Sequence, residues 1–179
     1  MENKEIDTVK EELIVQAKEK GICGPWAARM AGMKTLSGLV SLYVRGIDFC
    51  FDNDFPTLDY MKRHFKGICE KRGLYVEGED IRLKNPLPAI LVGDTKADIR
   101  YDSYSVGRVY LKHTAMATIE AADHAIILAI DCFDTSHVDI KASGSAKVTV
   151  YLYGESTCNA EETDGAQVKI VRKKGNTYE

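Results

Sequence analysis

Short segments of alternating hydrophobicity recur through the second half of this 179-residue chain. Each has a small residue first and apolar residues third and fifth, with polar residues between. Four of them begin ten residues apart: Ser136–Ile140, Ala146–Val150, Ser156–Ala160 and Ala166–Ile170. Such alternation is typical of β-strands that bury one face. The fixed period further indicates stacked repeats, because no single segment of this length can form a core alone.

The same pattern extends upstream. It fits Ala115–Ile119 and Ala125–Ala129, and with less regular spacing Thr95–Ile99 and Gly107–Leu111. We therefore predict a β-solenoid. An antiparallel sandwich or barrel is the alternative, since these folds also join short strands by regular turns. The hexapeptide repeat of left-handed acyltransferase helices and the calcium-binding nonapeptide are both absent from the sequence.

Residues 1–80 have helical spacing instead, with apolar residues at intervals of three and four. Helix boundaries are predicted at Gly21, Thr35, Thr57 and Gly73, which gives four short helices, one of them running from Thr35 to Phe51. The predicted fold class is thus α+β. A small N-terminal helical bundle over residues 1–80, expected to cap the solenoid, precedes a β-solenoid of roughly ten-residue strand repeats over 81–179, which ends in a short, charged, frayed tail.

Composition excludes several classes of function. Lys and Arg number 24 against 27 Asp and Glu, a net charge of -3, so a broad basic surface for nucleic acid is not expected. The charged N-terminus and the absence of a long apolar run argue against a secretion signal and a membrane span. We expect a cytoplasmic protein whose five cysteines are reduced and serve as buried small apolar residues.

Several segments resemble a group of small uncharacterised proteins that we associate with gut-bacterial genomes, phages and mobile elements. The resemblance rests on Gly21–Cys23 with Trp26, Val44–Cys50, His64–Gly67 and Ala166–Ile170. The group has no assigned activity. The resemblance therefore implies a genomic context, in phage or mobile-element biology, and no site residues.

One candidate binding surface is aromatic. Five tyrosines of the β half are predicted to face outward: Tyr101, Tyr104, Tyr110, Tyr151 and Tyr153. Exposed aromatic residues on a flat solenoid face are suited to recognition of a sugar, a base or a protein partner. The alternative is that the rings stack in ladders and cover the edge of the solenoid.

A second candidate set is polar and consists of His124, Asp131, Asp134 and His137, with Asp139 beside them. Histidine and aspartate are the residues that a metal site or a general acid–base site would use. His137 and Asp139 are predicted on one outward surface, and Asp131 and Asp134 in the turn between coils. The alternative is that the carboxylates cap turns and the histidines are solvated.

The function predicted from these patterns is that of a non-enzymatic binding or assembly protein, which uses the solenoid faces and self-association to engage a protein partner or small ligand. The final repeat, with Val168 and Ile170, is followed only by a short tail, and this predicts a homo-oligomer. Two alternatives remain open: a small carbohydrate-active or metal-dependent β-helix enzyme, and capture of a nucleotide or other anionic signal at a subunit interface. No cofactor, nucleic acid or membrane partner is predicted.

Overall fold

The computed structural model describes residues 2–178, which form two compact units. The first ends at Arg72 and the second begins at Gly73. The sequence pattern placed this boundary near residue 80. The difference arises because the first strand of the second unit is only three residues long, too short for alternation to be recognised.

Five α-helices and one 3-10 turn make up the first unit over its described residues. They are α1 (Glu2–Glu19), α2 (Gly24–Gly32), α3 (Leu36–Arg45), α4 (Ile47–Asp52), α5 (Leu58–His64) and the 3-10 turn Cys69–Arg72. Thr35 caps α3 as predicted, since its side chain accepts a hydrogen bond from the Gly38 N–H at 3.0 Å. The prediction of one helix from Thr35 to Phe51 is wrong. Gly46, a residue of low helix propensity, leaves the helical conformation and separates α3 from α4.

The second unit is a β-solenoid, as predicted. Eleven strands lie within the described residues: β1 (Leu74–Val76), β2 (Ile81–Lys84), β3 (Ala89–Val92), β4 (Lys96–Tyr101), β5 (Val106–Lys112), β6 (Met116–Ala121), β7 (Ile126–Cys132), β8 (His137–Ala142), β9 (Lys147–Leu152), β10 (Thr157–Glu162) and β11 (Gln167–Arg172). All strand pairs are parallel.

Successive strands alternate between two sheets. The odd-numbered strands form sheet A, in the order β1-β3-β5-β7-β9-β11, and the even-numbered strands form sheet B, in the order β10-β8-β6-β4-β2. One coil therefore contains two strands and two turns, and the solenoid has about five coils. The ten-residue period in the sequence corresponds to half a coil.

Stacked inward side chains form the core of the solenoid. In sheet B, Ile99, Ile119 and Ile140 lie in register on neighbouring strands and are at most 2% exposed. The small first residue of the repeat is also buried, beside the turn that precedes each strand, at Ala115, Ala125, Ser136, Ala146, Ser156 and Ala166. The predicted template therefore gives the correct inward positions for most strands.

One strand departs from the template. Strand β7 contains a bulge at Leu128, which has no partner on β5 and is 51% exposed. Beyond the bulge the alternation shifts by one residue, so that Ile130 rather than Ala129 stacks in the core. The prediction that Asp131 lies in a turn is wrong for the same reason, since Asp131 is part of the strand.

Candidate binding surfaces

The five tyrosines predicted as an outward surface are separated by the fold. Tyr101, Tyr110 and Tyr153 are buried, so the predicted exposure is wrong for these three, and Tyr101 alone of them belongs to the core of the solenoid. Tyr104 is 82% exposed and Tyr151 is half-buried. Tyr101 is in phase with the inward residues Ala97 and Ile99, so continued alternation places its ring in the core, whereas the burial of Tyr110 and Tyr153 has no local signal in the sequence.

Tyr101 occupies the core of sheet B, at the position where later coils have Ala121 and Ala142. Its hydroxyl donates a hydrogen bond to the Pro86 carbonyl at 2.9 Å. Burial raises the pKa of Tyr101. The ring fits because the opposing position on sheet A is Gly107, which leaves its space free.

Three rings form an aromatic cluster beside sheet A: Phe133, Tyr153 and Tyr178. Phe133 stacks on Tyr153 with ring centroids 4.2 Å apart and planes inclined by 5°. Tyr178 packs against both, at 5.0 Å and 5.4 Å. The predicted ladder alternative is thus correct for Tyr153. Phe133 and Tyr178 were missed because one lies between strands and the other lies in the C-terminal tail.

The C-terminal tail is attached to the solenoid, so the predicted fraying is wrong up to Tyr178. The Asn176 side-chain oxygen accepts a hydrogen bond from the Asp134 N–H at 2.9 Å. Two residues later the Tyr178 hydroxyl donates to the Asp131 carboxylate at 3.2 Å. Two of the predicted acidic residues therefore hold the tail.

Asp131 is a buried carboxylate, 6% exposed. Burial raises its pKa to about 6, although the Tyr178 hydrogen bond and the positive charges of Arg108 and Lys173 oppose that rise. A carboxyl group with such a pKa can exchange protons near neutral pH. In this structure the Tyr178 hydroxyl is hydrogen-bonded to the Asp131 carboxylate.

The remaining polar residues do not form one site. His137 Nε2 contacts the Asp139 carboxylate at 3.1 Å, and its Nδ1 contacts the Thr157 hydroxyl at 2.6 Å. Asn159 donates to the Asp139 carboxylate at 2.8 Å, and this bond lowers the pKa of Asp139. His124 instead stacks on Tyr104, with ring centroids 4.8 Å apart. Within residues 2–178 no group of three or more His, Cys, Asp or Glu residues could hold a metal ion.

Aspartates at the turns link one coil to the next. Asp134 has a positive φ of 58° and accepts a hydrogen bond from the His113 N–H of the preceding coil at 2.9 Å. The Asp123 carboxylate likewise accepts a hydrogen bond from the Ser103 N–H of the preceding coil at 2.9 Å. The turn-capping alternative is therefore correct for Asp134, because its carboxylate satisfies a backbone donor that the sheets leave unpaired.

The last coil, formed by β10 and β11, differs from those before it. Strands β8 and β9 each bury three alternate residues, whereas no residue of β10 or β11 is buried. Ile170, at an inward position, is 45% exposed. The Glu162 carboxylate reaches across the coil and accepts a hydrogen bond from the Val168 N–H at 2.9 Å. The solenoid thus ends in an open coil.

The first unit contains a cavity of about 350 Å³, here called the helical pocket. Its apolar lining is largely buried and includes Leu13, Leu39, Phe55 and Phe65. Its exposed rim includes Cys23, Arg45 and Asp48. Of the five cysteines, Cys50, Cys69 and Cys132 are buried as predicted, whereas Cys158 is half-buried and Cys23 is exposed. No sequence pattern predicted the pocket, because its residues are spread over five separate segments.

No family model matches the sequence, and neither a curated protein nor a solved structure matches it. Among the helices described here, none is both long and apolar enough to span a bilayer.

Proposed function

We propose that this is a non-enzymatic binding and assembly protein whose open last coil pairs with the last coil of a second copy. The supporting observation is the loss of burial at the end of the solenoid. Ala160 and Ile170 are exposed, whereas Ile140 and Val150, one coil earlier in register, are 2% and 0% exposed. Exposed core positions next to unpaired strand edges favour association.

The charges of the last coil favour a second copy as the partner. Strand β10 carries Glu161 and Glu162 and no basic residue, whereas β11 carries Lys169 and Arg172 and no acidic residue. A two-fold axis parallel to the strands would place β10 of each copy against β11 of the other, in antiparallel orientation. Each acidic strand would then face a basic strand.

Such a contact closes on itself and stops at a dimer, because both copies use the same surface. The Val168 N–H at the edge of β11 already donates a hydrogen bond to the Glu162 carboxylate. An inward carboxylate of this kind limits the uncontrolled stacking of strand edges. A partner strand that supplies Lys169 would offer this carboxylate a counter-charge. An assembly role of this kind agrees with the phage and mobile-element context that the resemblance implies.

Native mass spectrometry and sedimentation equilibrium at micromolar concentration test the proposal. We expect a species of twice 19.9 kDa, which dissociates as ionic strength rises, because charge pairs at an exposed rim are screened by salt. Ile170→Lys places a charge on the open coil and should give a monomer.

Ile126→Lys is the matched control, since Ile126 lies on the same sheet and is 43% exposed, against 45% for Ile170, but is not in the last coil. This variant should remain dimeric. The proposal fails if the parent protein is monomeric at micromolar concentration, or if the two variants change association equally while their circular dichroism shows an intact fold.

A further inference from the structure

The helical pocket has the size and lining of a small-molecule site. Its volume of about 350 Å³ lies in the range of roughly 300–1,000 Å³ that ligand sites occupy, and most of its lining is aliphatic or aromatic. Its walls come from α1, α2, α3, α4 and the chain that follows them. Walls from several helices suit a compact molecule better than the face of a partner helix, which needs a groove several turns long.

The rim supplies the polar contacts. Arg45 is the last residue of α3 and is exposed, and its side chain makes no hydrogen bond or ion pair with any residue of the described chain. Its guanidinium group presents paired donors that match a carboxylate. Asp48, also exposed, lies on the same rim. A ligand with a second negative charge would be repelled by this carboxylate.

We propose that the helical pocket binds one small monocarboxylate, with its apolar chain or ring inside the pocket and its carboxylate on Arg45. The chemistry required of the ligand is thus a single anionic head on an apolar body. This site lies wholly within residues 13–65. It does not depend on pairing of the solenoid, so failure of either proposal leaves the other standing.

Trp26 makes binding directly measurable. It is the single tryptophan of the chain and it lines the pocket. Titration of the full-length protein with decanoate, below its micelle-forming concentration, should change Trp26 fluorescence until one molecule is bound per chain. Two comparison ligands of equal chain length test the head group. Decanol lacks the charge that Arg45 would bind, and decanedioate carries a second charge on the end of the chain that would enter the apolar pocket. Both should therefore bind at least about tenfold more weakly than decanoate.

Two pairs of variants test the location. Cys23→Phe places a ring over the rim without enlarging a buried side chain, and it should weaken decanoate binding about tenfold or more, whereas Cys23→Ser should not. Arg45→Gln should weaken decanoate binding to the level of decanol and leave decanol itself unchanged. Lys34→Gln removes an exposed positive charge that is not part of the lining and should have no effect.

A second readout covers the case in which Cys23→Phe does not fold. In the parent protein Cys23 is exposed, so bound decanoate should slow its reaction with a thiol reagent. The proposal is overturned if decanoate produces neither a saturable fluorescence change nor protection of Cys23. It is also overturned if decanol or decanedioate binds as tightly as decanoate, or if Cys23→Phe folds and binds decanoate with unchanged affinity.

Discussion

The ring of Tyr101 lies in the space that a side chain at Gly107 would occupy. The two residues belong to β4 and β5, on opposite sheets of the solenoid. Tyr101 is fully buried, and the corresponding positions of later coils carry alanine. A large residue on sheet B is therefore matched by the absence of a side chain on sheet A.

Gly107→Ala should destabilise the solenoid by about 1–3 kcal/mol, the usual cost of adding a methyl group to a filled core. Chemical unfolding followed by the β-sheet circular dichroism signal measures this change. The cost should become small in a Tyr101→Leu background, where the ring no longer occupies the space. Equal costs in the two backgrounds would contradict the steric relationship.

Asp131 should make the stability of the solenoid depend on pH between about 4 and 6. Burial raises its pKa from 3.8 to about 6, so in this window the folded state holds the proton more tightly than the unfolded state. The resulting stabilisation is present in full below pH 3.8 and is lost as pH rises through about 6.

Asp131→Asn removes this titration. We expect its free energy of unfolding to exceed that of the parent protein by about 1–3 kcal/mol at pH 7.5, and to be similar at pH 3.8. Urea titrations at both pH values measure the difference. Asp139→Asn is the control, since the pKa of Asp139 is lowered and its replacement should not stabilise the protein at pH 7.5. Identical pH profiles for Asp131→Asn and the parent would refute this assignment.

Two buried serines at equivalent positions of neighbouring coils should respond differently to alanine. The Ser156 hydroxyl lies 2.9 Å from the Cys132 carbonyl and 2.8 Å from the Tyr153 carbonyl. Among the described residues, the Ser136 hydroxyl has no oxygen or nitrogen partner and lies beside the Cys132 thiol. Ser156→Ala should cost about 1 kcal/mol, and Ser136→Ala should be nearly neutral. Thermal unfolding of both variants checks the order, and a larger loss for Ser136→Ala would reverse the interpretation.

Asn176→Ala should release the C-terminal tail from the side of the solenoid. Asn176 is bonded to the Asp134 backbone, so its loss should raise hydrogen exchange at residue 134 and beside the aromatic cluster. Lys174→Ala, in the same exposed segment, serves as control and should leave exchange unchanged. Unaltered protection in Asn176→Ala would show that the Tyr178 contacts and the hydrogen bond from the Gly154 N–H to the Gly175 carbonyl are sufficient to hold the tail.

The solenoid was predictable because its signal is local. Alternation within five residues identifies which side chains face inward, and Val148 and Ile140 are buried as that pattern requires. The ten-residue period could not show that neighbouring strands enter different sheets, since one period is compatible with a coil of one, two or three strands. The bulge at Leu128 was also invisible, because Leu128, Ala129 and Ile130 are all apolar and give no sign of where the alternation shifts.

The candidate binding surfaces were less predictable than the fold. The aromatic cluster joins Phe133, Tyr153 and Tyr178, which no regular spacing connects. The helical pocket likewise combines residues from Leu13 to Phe65, which come from four helices and from the segments between and after them. Such sites arise from packing of distant segments, and a single sequence carries no direct record of that packing.

The alternation of strands between two sheets constrains how the chain can lengthen or shorten. Deletion of β8 with its turn would transfer every later strand to the opposite sheet, and would separate Phe133 from Tyr153 and Asp131 from Tyr178. Insertions and deletions that preserve the solenoid must therefore comprise an even number of strands. Longer and shorter forms of this architecture should differ by whole coils.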